Sequence, residues 1–237
     1  MGVGVDMKRS IVVTISALLA LSLLPTLAQA GERGSDKGGK SKPVSAATSI
    51  APGIKCRPTT AVGHQPPAVT PPAIKPPFKN RIFTFSTNCG DIVVAADGQH
   101  AELTVLALTA LAKGGFFDQT LCHRLTTAGI FVLQCGDPTA TGSGGPQFTY
   151  RDENLPTTTT NDYPAGIVAM ANSGPNTNGL QFFLVYADTT LPPSYTRWGV
   201  ITKGLDIVKA IAAQGTANGS GDGAPKQSVA IEKVSVR

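Results

Sequence analysis

A chain of 237 residues has room for one full domain with appendages, because a single barrel or sandwich can use most of that length. Hydrophobic residues at 41%, charged residues at 15%, 26 Gly and 18 Pro argue against a helical bundle and against disorder throughout. The net charge of +5 is spread without a basic run, so the chain lacks the electrostatic footprint of a nucleic-acid binder.

The first 30 residues read as a signal peptide: Lys8 and Arg9, an apolar stretch from Ile11 to Leu24, then Ala28-Gln29-Ala30 ahead of Gly31. The stretch is shorter than the roughly 20 residues of a spanning helix and Pro25 follows it, so no stable membrane span is expected. Met7, directly before the basic pair, offers an alternative start. Export to the cell envelope or beyond places Cys56, Cys89, Cys122 and Cys135 in an oxidising compartment. No pair has C-x-x-C spacing, so two disulfides are expected, with no metal site and no cofactor. Cys122 and Cys135 fall on strands expected to be neighbours, but bridges from either to Cys89 or Cys56 stay open.

Residues 31–79 are polar and then proline-dense, with Pro66-Pro67, Pro71-Pro72 and Pro76-Pro77, and read as a disordered spacer of extended conformation. From Arg81 the composition turns β-branched and aromatic. Arg81 to Phe85 and Asp91 to Val94 flank a turn at Asn88-Cys89-Gly90 and predict a hairpin. Leu103, Leu106, Ala107, Ala110 and Leu111 share one face at helical spacing and stop at Gly114-Gly115. Further strands are predicted at 121–125, 131–135, 167–170, 182–186 and 197–201, a second helix at 205–213 and a last strand at 229–236. Many strands with only two helices predict a mainly β domain over 80–237, a closed antiparallel barrel.

Two segments carry the chemistry: Cys122-His123-Arg124 running on to Phe131-Val132-Leu133-Gln134-Cys135-Gly136-Asp137, and Met170-Ala171-Asn172-Ser173-Gly174-Pro175-Asn176-Thr177-Asn178-Gly179-Leu180-Gln181-Phe182-Phe183. Together they resemble the cyclophilins over residues 80–237, a likeness that extends through Gly142-Ser143-Gly144-Gly145 and Asp152-Glu153-Asn154.

The resemblance implies a closed eight-stranded antiparallel β-barrel capped by two α-helices, acting as a peptidyl-prolyl cis/trans isomerase on proline peptides and unfolded exported proteins; a monomer is expected. It assigns Arg124, Phe131 and Gln134 to catalysis and Val132, Ala171, Asn172, Gln181, Phe182, Leu191 and Tyr195 to substrate binding. Arg124 would donate to the prolyl nitrogen. The other reading of the same groove is a proline-peptide binding module or holdase with little turnover, which has less need of a charge at that nitrogen.

If Arg124 and Gln134 share the groove face, strict alternation puts Cys122 on that face and Cys135 on the other, so their pairing would need a bulge. His123 lacks a Ser or Cys nucleophile pattern and reads as structural. Gly142 to Gly145 lacks the Lys-Ser/Thr ending of a phosphate loop and reads as a loop beside the groove.

Some positions depart from the family pattern. Arg124 to Phe131 is two residues longer, Val132 stands where many members have Met and Tyr195 where many have His, and Leu180 replaces a small residue. Thr190 stands where the members best known for binding cyclosporin have Trp, which implies weak binding of that drug.

Overall fold

The computed structural model describes residues 54–74, 79–145, 148–158, 160 and 162–237. The signal-peptide reading over 1–30 lies outside them. Among the described residues no helix is long and apolar enough to cross a membrane.

The expected hairpin forms β1 (Arg81–Thr87) and β2 (Gly90–Ala96), and the first helical pattern forms α1 (Glu102–Lys113). Then come β3 (Thr120–Leu121), β4 (Arg124–Thr126), β5 (Val132–Cys135), β6 (Ile167–Met170), β7 (Phe182–Val185) and β8 (Arg197–Lys203). The chain ends with α2 (Leu205–Ala213), β9 (Asp222–Gly223) and β10 (Ala230–Val236). Among the described residues the ten strands join one antiparallel sheet in the order β3-β10-β1-β2-β8-β6-β7-β5-β4-β9.

The count is ten rather than eight because the strand expected at 121–125 breaks into β3 and β4, and because β9 has only two residues and no sequence pattern. No ladder pairs β3 with β9, so backbone hydrogen bonds do not close the sheet. The chain runs directly from the edge strand β3 to β4, next to the other edge strand β9, through only Cys122 and His123.

Alternation along each strand divides the side chains between two apolar clusters. The larger one fills the interior with Phe83, Leu108, Phe117, Leu125, Leu133, Phe182 and Trp198, all at most 1% exposed. Trp198 meets Phe83 and Phe182 edge-on at 5.4 and 5.9 Å, an arrangement that adds to the area each ring buries. The smaller cluster, Val132, Tyr163, Ala169, Phe183 and Val185, lies on the opposite face of β5, β6 and β7. That face becomes the floor of a groove.

The start of α1 is closed by Glu153, whose carboxylate accepts from the backbone N–H groups of Leu103 and Thr104 at 3.0 and 2.9 Å. A negative charge at that end also complements the helix dipole.

The spacer reading is corrected over 54–74. Those residues belong to the same compact unit as the sheet, and Ile54, Cys56 and Val69 pack on the interior cluster. The N–H of Arg57 donates to the carbonyl of Asn88 at 2.8 Å, and that of His64 to the carbonyl of Pro138 at 2.8 Å. A disulfide joins Cys56 to Cys89 in the β1–β2 turn. Proline removes donors and fixes φ, so a segment so rich in it carries no periodic pattern by which packing could be foreseen.

The second disulfide joins Cys122 to Cys135, leaving no free cysteine. Alternation does not forbid the pair, because Cys122 lies in the break before β4. Its N–H donates to the carbonyl of Val229 at 2.9 Å, and both cysteines are buried with the interior cluster.

Candidate active site

β4 and β5 run antiparallel with Arg124 opposite Gln134, and β7 lies on the other side of β5 with Phe183 opposite Gln134 and Val185 opposite Val132. Arg124, Val132, Gln134 and Phe183 therefore leave the sheet on one face. With Ile130, Ala171, Asn172, Leu191 and Tyr195 they line a cavity of about 220 Å³. It has an apolar floor and a charged rim.

The rim is a chain of side-chain hydrogen bonds. Arg124 Nη1 donates to Gln134 Oε1 at 3.3 Å, and Gln134 Nε2 donates to Gln181 Oε1 at 2.9 Å. Gln181 Nε2 in turn donates to the carbonyls of Gly142 and Gly144 at 3.1 and 2.7 Å. The relay fixes which atoms of Gln134 remain for a substrate. It ends in the glycine loop, which with Gln134, Ala171, Asn172, Leu180 and Gln181 lines a second cavity of about 330 Å³. The groove thus has two adjoining compartments with Gln134, Ala171 and Asn172 between them.

The glycine loop is built on Asp137, a fully buried carboxylate. It accepts from the N–H groups of Thr139, Thr141, Gly142 and Gly144 at 2.7 to 3.1 Å. Burial opposes its ionisation, but the bonds from Thr139, Gly144 and Gly142 outweigh it and hold the carboxyl below its ordinary pKa. The preceding Gly136 has φ +93°, and a Cβ there would lie 2.5 Å from the carbonyl oxygen of Leu180, so a side chain would push apart the two segments that form the groove.

Tyr163 sets the wall. Its hydroxyl donates to the carbonyl of Tyr195 and accepts from the N–H of the same residue, both at 3.0 Å. Burial pushes its pKa up to about 12. Phe183 meets the Tyr195 ring edge-on at 5.6 Å. Asn172 Nδ2 donates to the carbonyl of Ser194 at 2.8 Å, tying the segment before β7 to the same wall.

Two expected site residues lie elsewhere. Phe182 points inward, 1% exposed and against Phe85, Phe117 and Trp198. Its neighbour Phe183 lines the cavity, because adjacent strand residues face opposite ways. Phe131 precedes β5 and shares the inward parity of Leu133, so its ring packs on the interior cluster and meets Tyr186 edge-on at 6.0 Å. Ile130, at the end of the longer β4–β5 connection, lines the cavity.

Sequence reasoning also missed Asp222. Its carboxylate accepts from Arg124 Nε at 2.8 Å and from Nη2 at 2.6 Å. That bond raises the pKa of Arg124 and lowers that of Asp222. The side chains are 39% and 55% exposed, so solvent screens the pair and it adds little to stability. His123, next to Arg124 in the chain, is half-buried, with neither ring nitrogen hydrogen-bonded among the described residues. Burial, followed by the charge of Arg124, holds its pKa below the ordinary histidine value against the pull of Asp137.

Residues 82–236 match the family model of cyclophilin type peptidyl-prolyl cis-trans isomerases. A probable peptidyl-prolyl cis-trans isomerase B of Mycobacterium leprae is 41% identical over 203 residues, 75% of this chain and 68% of that protein. Its counterpart in Mycobacterium tuberculosis is 45% identical over 160 residues, 62% of this chain and 52% of that one. The chain thus spans between about half and two thirds of the length of these relatives. A cyclophilin type isomerase of Cryptosporidium parvum shares the fold at a TM-score of 0.58 and 24% identity, covering 67% of this chain and 98% of that one. The same Cryptosporidium protein has also been crystallised in the presence of the dipeptide Ala-Pro. The matched span, the relatives and the shared fold together make this chain a member of the cyclophilin type peptidyl-prolyl cis-trans isomerases.

Proposed function

We propose that the chain accelerates rotation about X-Pro peptide bonds in exported proteins and so assists their folding. An X-Pro bond resists rotation because nitrogen shares its lone pair with the carbonyl, a barrier of about 18–20 kcal/mol. No bond breaks and no proton need leave the substrate. The task is to weaken that sharing. A guanidinium suits it, being permanently charged and planar, and Arg124 stands at the rim of the apolar cavity, where a proline ring would bring its nitrogen within reach.

That juxtaposition is the observation that carries the reading. One charged hydrogen bond contributes about 1.5–3 kcal/mol, whereas a hundred-thousandfold acceleration needs roughly 7 kcal/mol. The remainder comes from seating the ring on Val132, Phe183, Leu191 and Tyr195 away from water and from holding the flanking peptide. In this reading Gln134 orients a substrate carbonyl, and Ala171 and Asn172 support the backbone between the two compartments. Two disulfides and the signal pattern over 1–30 support export.

Arg124→Ala removes the donor but no core volume, so turnover of a proline peptide should fall by about tenfold or more with the fold intact. Unchanged turnover in the folded variant would overturn the mechanism. A holdase would be recognised by peptide affinity without turnover in the unaltered chain.

A further inference from the structure

We propose that Asp222 is a positioning residue of the isomerase, holding the Arg124 guanidinium by one edge so that its remaining N–H groups face the substrate. The proposal rests on the reading of Arg124 as the donor to the prolyl nitrogen.

The local fold delivers Asp222 to Arg124. β9 pairs with β4, with Asp222 opposite Thr126 and Gly223 opposite Leu125. Asp222 therefore shares a face with Thr126 and is the diagonal neighbour of Arg124, close enough for a long side chain to reach. The loop carrying it is tied down on both sides. The N–H of Thr127 donates to the carbonyl of Gly221 at 2.8 Å, and Asn218 Oδ1 accepts from the N–H and hydroxyl of Ser220 at 3.1 and 2.9 Å. Gly221 approaches Ala128 so closely that a Cβ on it would lie 2.8 Å from the alanine methyl. Ala128 belongs to the lengthened β4–β5 connection, so that extension and the Asp222 loop brace each other.

Donor arithmetic gives the pair its meaning. Arginine carries five N–H groups, one on Nε and two on each terminal nitrogen. Asp222 takes the Nε donor and one on Nη2, and Gln134 takes one on Nη1. One donor remains on each terminal nitrogen, and the planar fork can no longer swing. Solvent exposure denies the pair a substantial role in stability, whereas a two-point grip on a side chain with several rotatable bonds cuts the ordering that each catalytic encounter requires.

The test uses the full chain with Asp222→Ala, Asp222→Asn and Asp222→Glu, alone and with Arg124→Ala. Isomerisation of a proline tetrapeptide is followed by NMR exchange, together with the Arg124 Nε–H resonance. The expected results are a fall in kcat of about fivefold or more in the Ala and Asn variants, with KM within about twofold and substantial recovery in Glu. The Nε–H signal, held in a hydrogen bond to Asp222 in the unaltered protein, should broaden in Ala. No further loss should follow when Asp222→Ala is added to Arg124→Ala.

If Arg124→Ala leaves turnover unchanged, the reading of Arg124 fails and this assignment with it. If Arg124→Ala lowers turnover while the Asp222 variants keep or raise kcat, only the positioning role is lost. An added loss in the double variant, or a change in KM alone, also overturns it. Should Asp222→Ala not fold, Asp222→Asn, of the same shape, decides by the same criteria.

Discussion

Phe182 and Phe183 leave β7 on opposite faces, the first against Trp198 at 5.9 Å inside the sheet and the second against Tyr195 at 5.6 Å in the groove. One peptide bond separates an interior residue from one that lines the groove.

Alanine substitutions should therefore separate cleanly. Phe182→Ala opens a cavity in the interior and should cost about 3–5 kcal/mol of unfolding free energy. Phe183→Ala should cost less, because its ring lines an open cavity, yet lower kcat/KM about tenfold or more by removing apolar surface from the proline site. Denaturant titration and peptide turnover on both variants check this. A Phe182→Ala protein of normal stability, or a Phe183→Ala protein of normal turnover, would contradict the assignment.

The Cys122–Cys135 bridge closes a loop of 13 residues that carries both Arg124 and Gln134. In the chain-entropy account such a loop contributes about 3 kcal/mol. Replacing both cysteines by Ala should lower the unfolding free energy by about that amount, and denaturant titration under non-reducing conditions measures it.

His123 predicts an acid-side loss of stability. Its pKa in the folded protein lies below the ordinary value of 6.5, so the neutral ring is the form the fold accepts. Above 6.5 neither folded nor unfolded chain binds the proton. As pH falls below 6.5 the unfolded chain takes it up first, and stability declines until the folded ring also titrates. One proton gives a slope of at most about 1.4 kcal/mol per pH unit. His123→Phe should flatten the curve below about pH 6.5 relative to the unaltered protein. Parallel curves for the two would rule out the contribution.

Cyclosporin should bind weakly, because exposed Thr190 offers neither the area nor the ring N–H of the Trp expected there in strongly binding relatives. Losing a third of an indole's 150–250 Å² and one hydrogen bond corresponds to about a hundredfold in affinity. Calorimetric titration of the unaltered protein and of Thr190→Trp checks this. Binding should tighten in the variant while proline turnover stays near its starting value.

Arg124, Gln134 and Gln181 were legible in the sequence because each sits in a distinctive run of residues, whereas Leu191 and Tyr195 were placed by the family resemblance alone. The two faces of β7 were not, since consecutive phenylalanines fit both parities and only the register with β5 decides between them. Phe131 failed for a related reason, because the longer connection before β5 lets Ile130 take the cavity wall. Asp222 lies 98 residues from Arg124 in a two-residue strand, where no periodicity accumulates. The packed segment 54–74 escaped because composition alone, dense in proline, does not distinguish a docked extended chain from a free one.

The bridge from Cys56 to Cys89 moves the start of the cooperative unit upstream of residue 82, where the family match begins. A fragment trimmed to the sheet would lose Ile54, Cys56 and Val69 from the edge of the interior and leave Cys89 as an unpaired thiol in a tight turn. In an oxidising medium that thiol would seek a partner on another molecule. Such a fragment would purify as a mixture of monomers and cross-linked dimers, and the minimal domain of this protein is therefore longer than the family match alone suggests.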